Sequence, residues 1–125
     1  MSAYLDTNAL LAAILPQRTT ERVSAATWAR EHGALIVSEA VLAETCWVLE
    51  SVYEHPRGQV ARLLQQALRS EDVTAWDPVL ADRSLAIMCR DSRLGIVDCI
   101  LAARTLDGAT ACTFDRRLNR TIENL

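Results

Sequence analysis

The sequence predicts an α/β fold in which helices cover a parallel sheet. Short apolar segments alternate along the chain with longer segments whose apolar residues recur at helical spacing. Strands that alternate with helices are typical of parallel sheets covered on both faces. The 125 residues, half of them hydrophobic, contain neither an internal repeat nor a linker, which predicts one domain over residues 1–125.

The first half of the chain is predicted to contain two strands and three helices. Pro16 and Pro56 are expected to end helices, because proline disrupts the helical backbone bonding and restricts the residue before it. Ser38 is suited to cap a helix N-terminus. The predicted order is a strand over 3–5, a helix over 7–15, a helix over 21–31 after Thr20, a strand over 35–37 and a helix from Ser38 to about Tyr53.

The second half is predicted to contain two more strands. Asp77 and Pro78 have the residue types of an N-cap and a first helical position. The predicted order is a helix over 57–69, a strand over 73–76, a helix over 78–89, a helix over 95–106, a strand over 109–114 and a helical turn over 116–119. Together with the first half, these elements give a four-stranded parallel sheet.

The composition excludes several classes of protein. All thirteen cationic side chains are arginines, and the absence of lysine excludes a Walker A loop and a Schiff-base enzyme. The four cysteines lack the spacing of a zinc site and have apolar neighbours, which favours buried, reduced thiols. The longest apolar run, over 9–15, is far shorter than the roughly 20 residues of a membrane span. No secretory pattern is visible, so a cytoplasmic location is expected.

Two aspartates directly follow predicted strands. Asp6 comes after the first strand and Asp115 after the fourth, and open parallel sheets form their sites at the carboxyl ends of strands. Each aspartate is also a good helix N-cap. Taken alone, each aspartate is better explained as a helix N-cap than as part of a functional site.

Two further acids lie in helical segments among apolar residues. Glu44 is expected on the apolar stripe of its helix, and a buried carboxylate needs an arginine, a proton or a metal ion beside it. Asp98 also has apolar neighbours at helical spacing, although the helix dipole favours an acid in a first turn. A purely structural role and a role in a metal site both stay open for Glu44 and for Asp98.

Taken together, Asp6, Glu44, Asp98 and Asp115 predict a metal site. Hard divalent cations such as Mg²⁺ and Mn²⁺ prefer oxygen ligands and keep bound waters. A cation held in this way can lower the pKa of a water and screen a phosphodiester for in-line attack. The arginines of the chain suit contact with phosphate.

Four segments of the chain resemble those of a known family. They are Tyr4-Leu5-Asp6-Thr7-Asn8, Ser38-Glu39-Ala40-Val41-Leu42-Ala43-Glu44, Val97-Asp98-Cys99-Ile100-Leu101-Ala102-Ala103 and Thr113-Phe114-Asp115. Their order and separations resemble the PIN domain, and within it the VapC-like toxin ribonucleases of type II toxin–antitoxin systems. The resemblance extends from about Ala3 to Leu118.

The resemblance implies a three-layer α/β/α sandwich with a four- to five-stranded parallel sheet. It implies catalytic and metal-binding roles for Asp6, Glu44, Asp98 and Asp115, with Thr7, Asn8 and Thr113 orienting carboxylates or water. It also implies an Mg²⁺- or Mn²⁺-dependent endoribonuclease that cleaves single-stranded RNA. Such a protein is expected to form a homodimer and to be held inactive by a cognate antitoxin protein.

The sequence departs from the family pattern at two places. Toxins of this family often carry another acid two residues after the last aspartate of the pattern, where this chain has Arg117. Arg116, Arg117 and Arg120 are therefore expected to contact substrate phosphate. The family often adds a fifth strand, of which Thr121 to Leu125 would be a remnant.

Two other functions remain open. A non-catalytic PIN-like module would bind a partner through the helices around Trp47 and Leu63-Leu64, although such a module would be free to lose its four acids. A phosphoacceptor domain or phosphatase also has an aspartate at a strand end, but the missing lysine counts against it. Trp47 and the two leucines are expected in the core or at a dimer face. Base stacking on Trp28 or Trp76 has no support from residue spacing.

Overall fold

A computed structural model describes residues 2–91 and 93–125; Met1 and Ser92 lie outside the described residues. The described residues form three strands and seven helices. The strands are β1 (Ala3–Tyr4), β2 (Leu35–Val37) and β3 (Val73–Ala75). The helices are α1 (Thr7–Ile14), α2 (Thr19–His32), α3 (Glu39–Ser51), α4 (Arg57–Leu68), α5 (Pro78–Arg90), α6 (Ile96–Thr105) and α7 (Arg116–Glu123).

The three strands form one parallel sheet in the order β1-β2-β3. Ala3 pairs with Leu35, which in turn pairs with Val73. Leu35 and Val73 are buried, whereas Ile36 and Thr74, which follow them and point to the opposite face, are half-buried. The predicted alternation of strands and helices in a parallel α/β fold is thus confirmed.

The predicted fourth strand, over 109–114, is not formed. Phe114 is 99% exposed. The segment forms local bonds instead of a strand ladder, because the Thr113 hydroxyl accepts a hydrogen bond from the Asp115 N–H and the Thr113 carbonyl accepts one from the Asn119 side chain. The sheet of the described residues therefore has three strands, not the four or five predicted.

The C-terminal residues form a helix, so the predicted remnant of a fifth strand is also wrong. Helix α7 continues to Glu123, beyond the predicted turn over 116–119. Leu118 is buried, and the Thr121 hydroxyl donates a hydrogen bond of 2.9 Å to Asp91 Oδ2 at the end of α5. These contacts hold α7 as a helix against the rest of the molecule.

Local capping signals determine where several helices begin. The Ser38 and Asp77 side chains each accept a hydrogen bond from the backbone N–H three residues later, at 3.2 and 3.1 Å, as predicted. Helix α2 differs from the prediction, because it begins at Thr19 and its N-cap, Arg18, makes no capping hydrogen bond through its side chain.

The buried core is apolar and includes two of the four cysteines. Cys46 and Cys99 are buried and Cys89 is half-buried, but Cys112 is exposed. The prediction of a buried thiol is therefore wrong for Cys112, because the segment over 109–114 does not join the sheet. No helix within the described ranges is both long and apolar enough to cross a bilayer.

Candidate active site

Asp6 lies at the carboxyl end of β1 and caps α1. Its backbone is extended, and its Oδ1 accepts a hydrogen bond of 2.8 Å from the Ala9 N–H. The predicted capping role is thus confirmed. The side chain is exposed, at the edge of the sheet where open parallel folds form their sites.

Glu44 lies on α3 but outside the buried stripe of that helix. The buried residues of α3 follow the spacing i, i+3, i+4, i+7 and are Leu42, Thr45, Cys46 and Leu49. Glu44 is exposed, so the expectation that its carboxylate is buried is wrong and no desolvation cost requires a counter-ion.

Trp47 is 62% exposed on the same helix, so it is not a core residue, whereas Leu64 is buried as predicted.

Asp6 and Glu44 line the same open groove, which has a volume of about 540 Å³ and lies between α1 and α3. The residues around this acidic groove are Asp6, Thr7, Asn8, Leu11, Val41, Glu44 and Val48. Two carboxylates, a hydroxyl and an amide thus share one surface with three aliphatic side chains. Carboxylate, hydroxyl and amide oxygens are ligand types that hard cations prefer in proteins.

Asp98 and Asp115 do not line the acidic groove. Asp98 is half-buried in the first turn of α6, where the helix dipole favours an acid. Asp115 is exposed and caps α7, with its Oδ1 accepting a hydrogen bond of 2.8 Å from the Leu118 N–H. Over residues 2–91 and 93–125, no group of three or more His, Cys, Asp or Glu side chains is placed to hold a metal ion. Two of the four predicted carboxylates, those of Asp6 and Glu44, therefore line one groove.

The polar residues expected to orient the site make other hydrogen bonds. Asn8 Oδ1 accepts a bond of 3.0 Å from Arg18 Nη1, and Arg18 Nε donates one of 2.7 Å to Glu21 Oε2. The Thr113 hydroxyl accepts a bond of 3.0 Å from the Asp115 N–H. Thr113 thus fixes the backbone of one candidate aspartate, and Asn8 connects α1 to the start of α2.

The arginines expected to contact phosphate lie on α7, directly after Asp115. All three are exposed, and they are Arg116, Arg117 and Arg120. Their side chains are accessible to a polyanionic ligand.

An ion pair that the sequence does not predict connects the helices that carry Glu44 and Asp98. Arg104 Nη1 and Nη2 donate hydrogen bonds of 2.7 and 3.1 Å to Glu39 Oε1 and Oε2. These bonds hold the pKa of the Glu39 carboxyl below its usual value. The partners are 65 positions apart, and no sequence pattern joins them.

Comparison with known proteins agrees with this architecture. The family model for the PIN domain matches residues 3–124. Neither the comparison with curated proteins nor that with solved structures returned a match. The chain therefore belongs to the PIN domain family, whose members are typically nucleases and commonly depend on a metal ion.

Proposed function

We propose that this protein is an Mg²⁺- or Mn²⁺-dependent endoribonuclease that cleaves single-stranded RNA. The observation that carries the proposal is the acidic groove, which Asp6 lines from the end of β1 and Glu44 from α3. Membership of the PIN domain family supports the reaction class. The substrate and the metal requirement are the specific claims of the proposal.

The oxygen donors of the acidic groove suit a divalent cation. Mg²⁺ is commonly bound by one or two carboxylates, while waters and substrate phosphates complete its ligands. Asp6 is oriented by the bond from the Ala9 N–H to its Oδ1, and Glu44 is exposed to the groove. When bound, such an ion lowers the pKa of a water and stabilises charge on the phosphodiester.

The proposal includes a second group of residues outside the acidic groove. Asp98 and Asp115, which do not line the acidic groove, are proposed as further metal ligands because the resemblance of their segments to the PIN domain implies that role. Thr113 would position Asp115 through its bond to the Asp115 N–H. Proposed phosphate contacts come from the exposed arginines of α7, which are Arg116, Arg117 and Arg120.

Cleavage of a labelled single-stranded RNA by the purified protein tests the proposal. Asp6→Asn and Glu44→Gln should each reduce the rate by more than the roughly 10- to 100-fold loss typical of residues that orient a metal ligand. Asp77→Asn is the matched control, because Asp77 is another N-cap that follows a strand. Full activity in either site variant, or in EDTA, would contradict the proposal.

We also propose that the enzyme acts in the cytoplasm as the toxin of a toxin–antitoxin pair and that it forms a homodimer. The resemblance to VapC-like toxins supports this role. Expression should arrest growth, Asp6→Asn should abolish the arrest, and a neighbouring reading frame should encode a DNA-binding antitoxin. If growth arrest persists in the Asp6→Asn variant, the toxicity does not depend on nuclease activity and the proposed role as a toxin nuclease is contradicted.

A non-catalytic interaction module is the second candidate. It is favoured by the observation that the described parts of the chain gather only two of the four acids in one groove. In that case Trp47, 62% exposed on α3, would be a contact for a partner protein. A titration in which Mn²⁺ does not bind at any concentration would favour this candidate over the nuclease.

A further inference from the structure

We infer that a groove between β1 and α2 binds unpaired bases of the RNA, which stack on Trp28 and Tyr4. The identity of the ligand as RNA rests on the proposed function. The inference concerns a surface separate from the acidic groove. This surface binds a neighbouring part of the RNA strand, whereas the reacting phosphate binds in the acidic groove.

The groove has a volume of about 510 Å³, within the range of sites for small organic groups. Its apolar lining includes Ala3, Ala25 and Leu35, and its two aromatic residues are Tyr4 and Trp28. We call it the aromatic groove. Its volume and its apolar and aromatic lining suit a flat, largely apolar ligand.

Trp28 is held in place without being part of the core. Ala29 is the buried residue of α2, whereas Trp28 is 55% exposed. The indole stacks on the His32 ring, with centroids 4.6 Å apart and planes 20° apart. The stack limits the positions open to the indole, so a base that binds there loses less free energy to ordering the side chain. Tyr4 is 67% exposed, which leaves a second ring for the ligand.

The aromatic groove adjoins the acidic groove. Asp6 and Asn8 line both. An RNA strand whose backbone lies at Asp6 can therefore place a neighbouring base against β1 and α2. Because the acidic groove is the proposed cleavage site, this adjacency favours RNA over a protein ligand as the occupant.

The charges of the aromatic groove favour bases over phosphates. Its cation, Arg18, donates a hydrogen bond to Glu21, which also lines the groove, and Asp6 adds another negative charge. A phosphate would meet net negative charge, whereas an uncharged base meets two aromatic rings. Stacking of one base on an aromatic side chain contributes about 1–3 kcal/mol, which corresponds to about 5- to 150-fold in affinity.

Binding of fluorescent single-stranded RNA in EDTA tests the inference without cleavage. Trp28→Ala and Tyr4→Ala should each weaken Kd by about 5- to 150-fold, while Trp28→Phe stays within a few-fold of the wild type. Trp47→Ala is the matched control, because Trp47, at 62% exposed, is about as accessible as Trp28 but lies outside this groove. A strand of the same length without bases should bind the wild type and Trp28→Ala equally.

Three results would overturn the inference. The first is an unchanged Kd in both Trp28→Ala and Tyr4→Ala. The second is an equal loss with the strand that lacks bases, which would indicate a backbone contact. The third is a change in oligomeric mass in Trp28→Ala at sedimentation equilibrium, which would identify a protein interface. Binding that depends on Trp28, without cleavage in Mg²⁺ or Mn²⁺, would refute the nuclease and leave the base site in place.

Discussion

Arg104 in α6 donates two hydrogen bonds to the carboxylate of Glu39 in α3, at 2.7 and 3.1 Å. Glu39 is the first residue of α3, which also carries Glu44, and Arg104 lies near the end of α6, which also carries Asp98. The pair therefore connects two helices that carry candidate site residues. Its two-point geometry makes it stronger than an ordinary surface ion pair.

The Glu39–Arg104 pair should contribute a measurable coupling free energy. A double-mutant cycle with Glu39→Gln and Arg104→Gln should give about 0.5–1 kcal/mol in urea unfolding at low salt, since both side chains are 41% exposed. The coupling should fall in 1 M NaCl because salt screens exposed charges. The Arg69–Asp82 pair, which is more exposed, should give less. A Glu39–Arg104 coupling no larger than that control would contradict this account.

The same pair should make stability depend on pH in the acid range. The hydrogen bonds and charge of Arg104 lower the pKa of Glu39 below 4.5, although partial burial opposes this. The stabilisation is therefore complete above pH 4.5 and is lost as the pH falls through the folded-state pKa. The difference in free energy of unfolding between the wild type and Glu39→Gln should be constant from pH 7 to 5 and should shrink below 4.5. A difference that grows in acid would be inconsistent with the ion pair.

Two substitutions should separate the capping role of Asp6 from its proposed catalytic role. Asp6→Ala should destabilise the protein by about 0.5–2 kcal/mol, because the Ala9 N–H loses its acceptor, whereas Asp6→Asn keeps a cap and should have near-normal stability. Thermal unfolding of both variants, alongside the RNA cleavage assay, checks this. Normal cleavage in a stable Asp6→Asn protein would leave capping as the role of this residue.

The cysteines should differ sharply in reactivity. Burial raises the pKa of Cys99 to about 12 and raises that of Cys46 as well, whereas Cys112 is exposed. Because the thiolate is the reactive form, a thiol reagent should modify Cys112 first in the native protein. Cys112→Ser should remove the fast phase, and Cys46→Ser should leave it intact. A fast phase that persists in Cys112→Ser would show that another thiol is accessible.

Local signals predicted most of the helices and strands, but long-range contacts decided the rest. Ser38 and Asp77 cap helices through bonds to residues three positions away, so the sequence contains the necessary information. The segment over 109–114 has the composition of a strand, but a strand needs a partner, and Thr113 bonds locally instead. Sequence alone cannot show which of these outcomes has the lower free energy.

As with the helices and strands, only part of the candidate site could be predicted from the sequence. The positions of Asp6 and Asp115 after apolar segments indicated their capping roles. Helix α3 has apolar residues on more than one side, so the pattern could not show that the stripe through Leu42 and Leu49 is the buried one and that Glu44 is exposed. The Glu39–Arg104 pair depends on how α3 and α6 pack, which no local pattern encodes.

The most direct test of whether Asp6 and Glu44 form a metal site is a titration with Mn²⁺. Binding is monitored as the loss of the electron paramagnetic resonance signal of the free ion. The wild type should bind saturably, and Asp6→Asn and Glu44→Gln should each weaken the affinity by at least about 10-fold. Glu31→Gln, at an exposed position of α2, should bind like the wild type. Wild-type affinity in both site variants, or no binding by the wild type, would contradict the account.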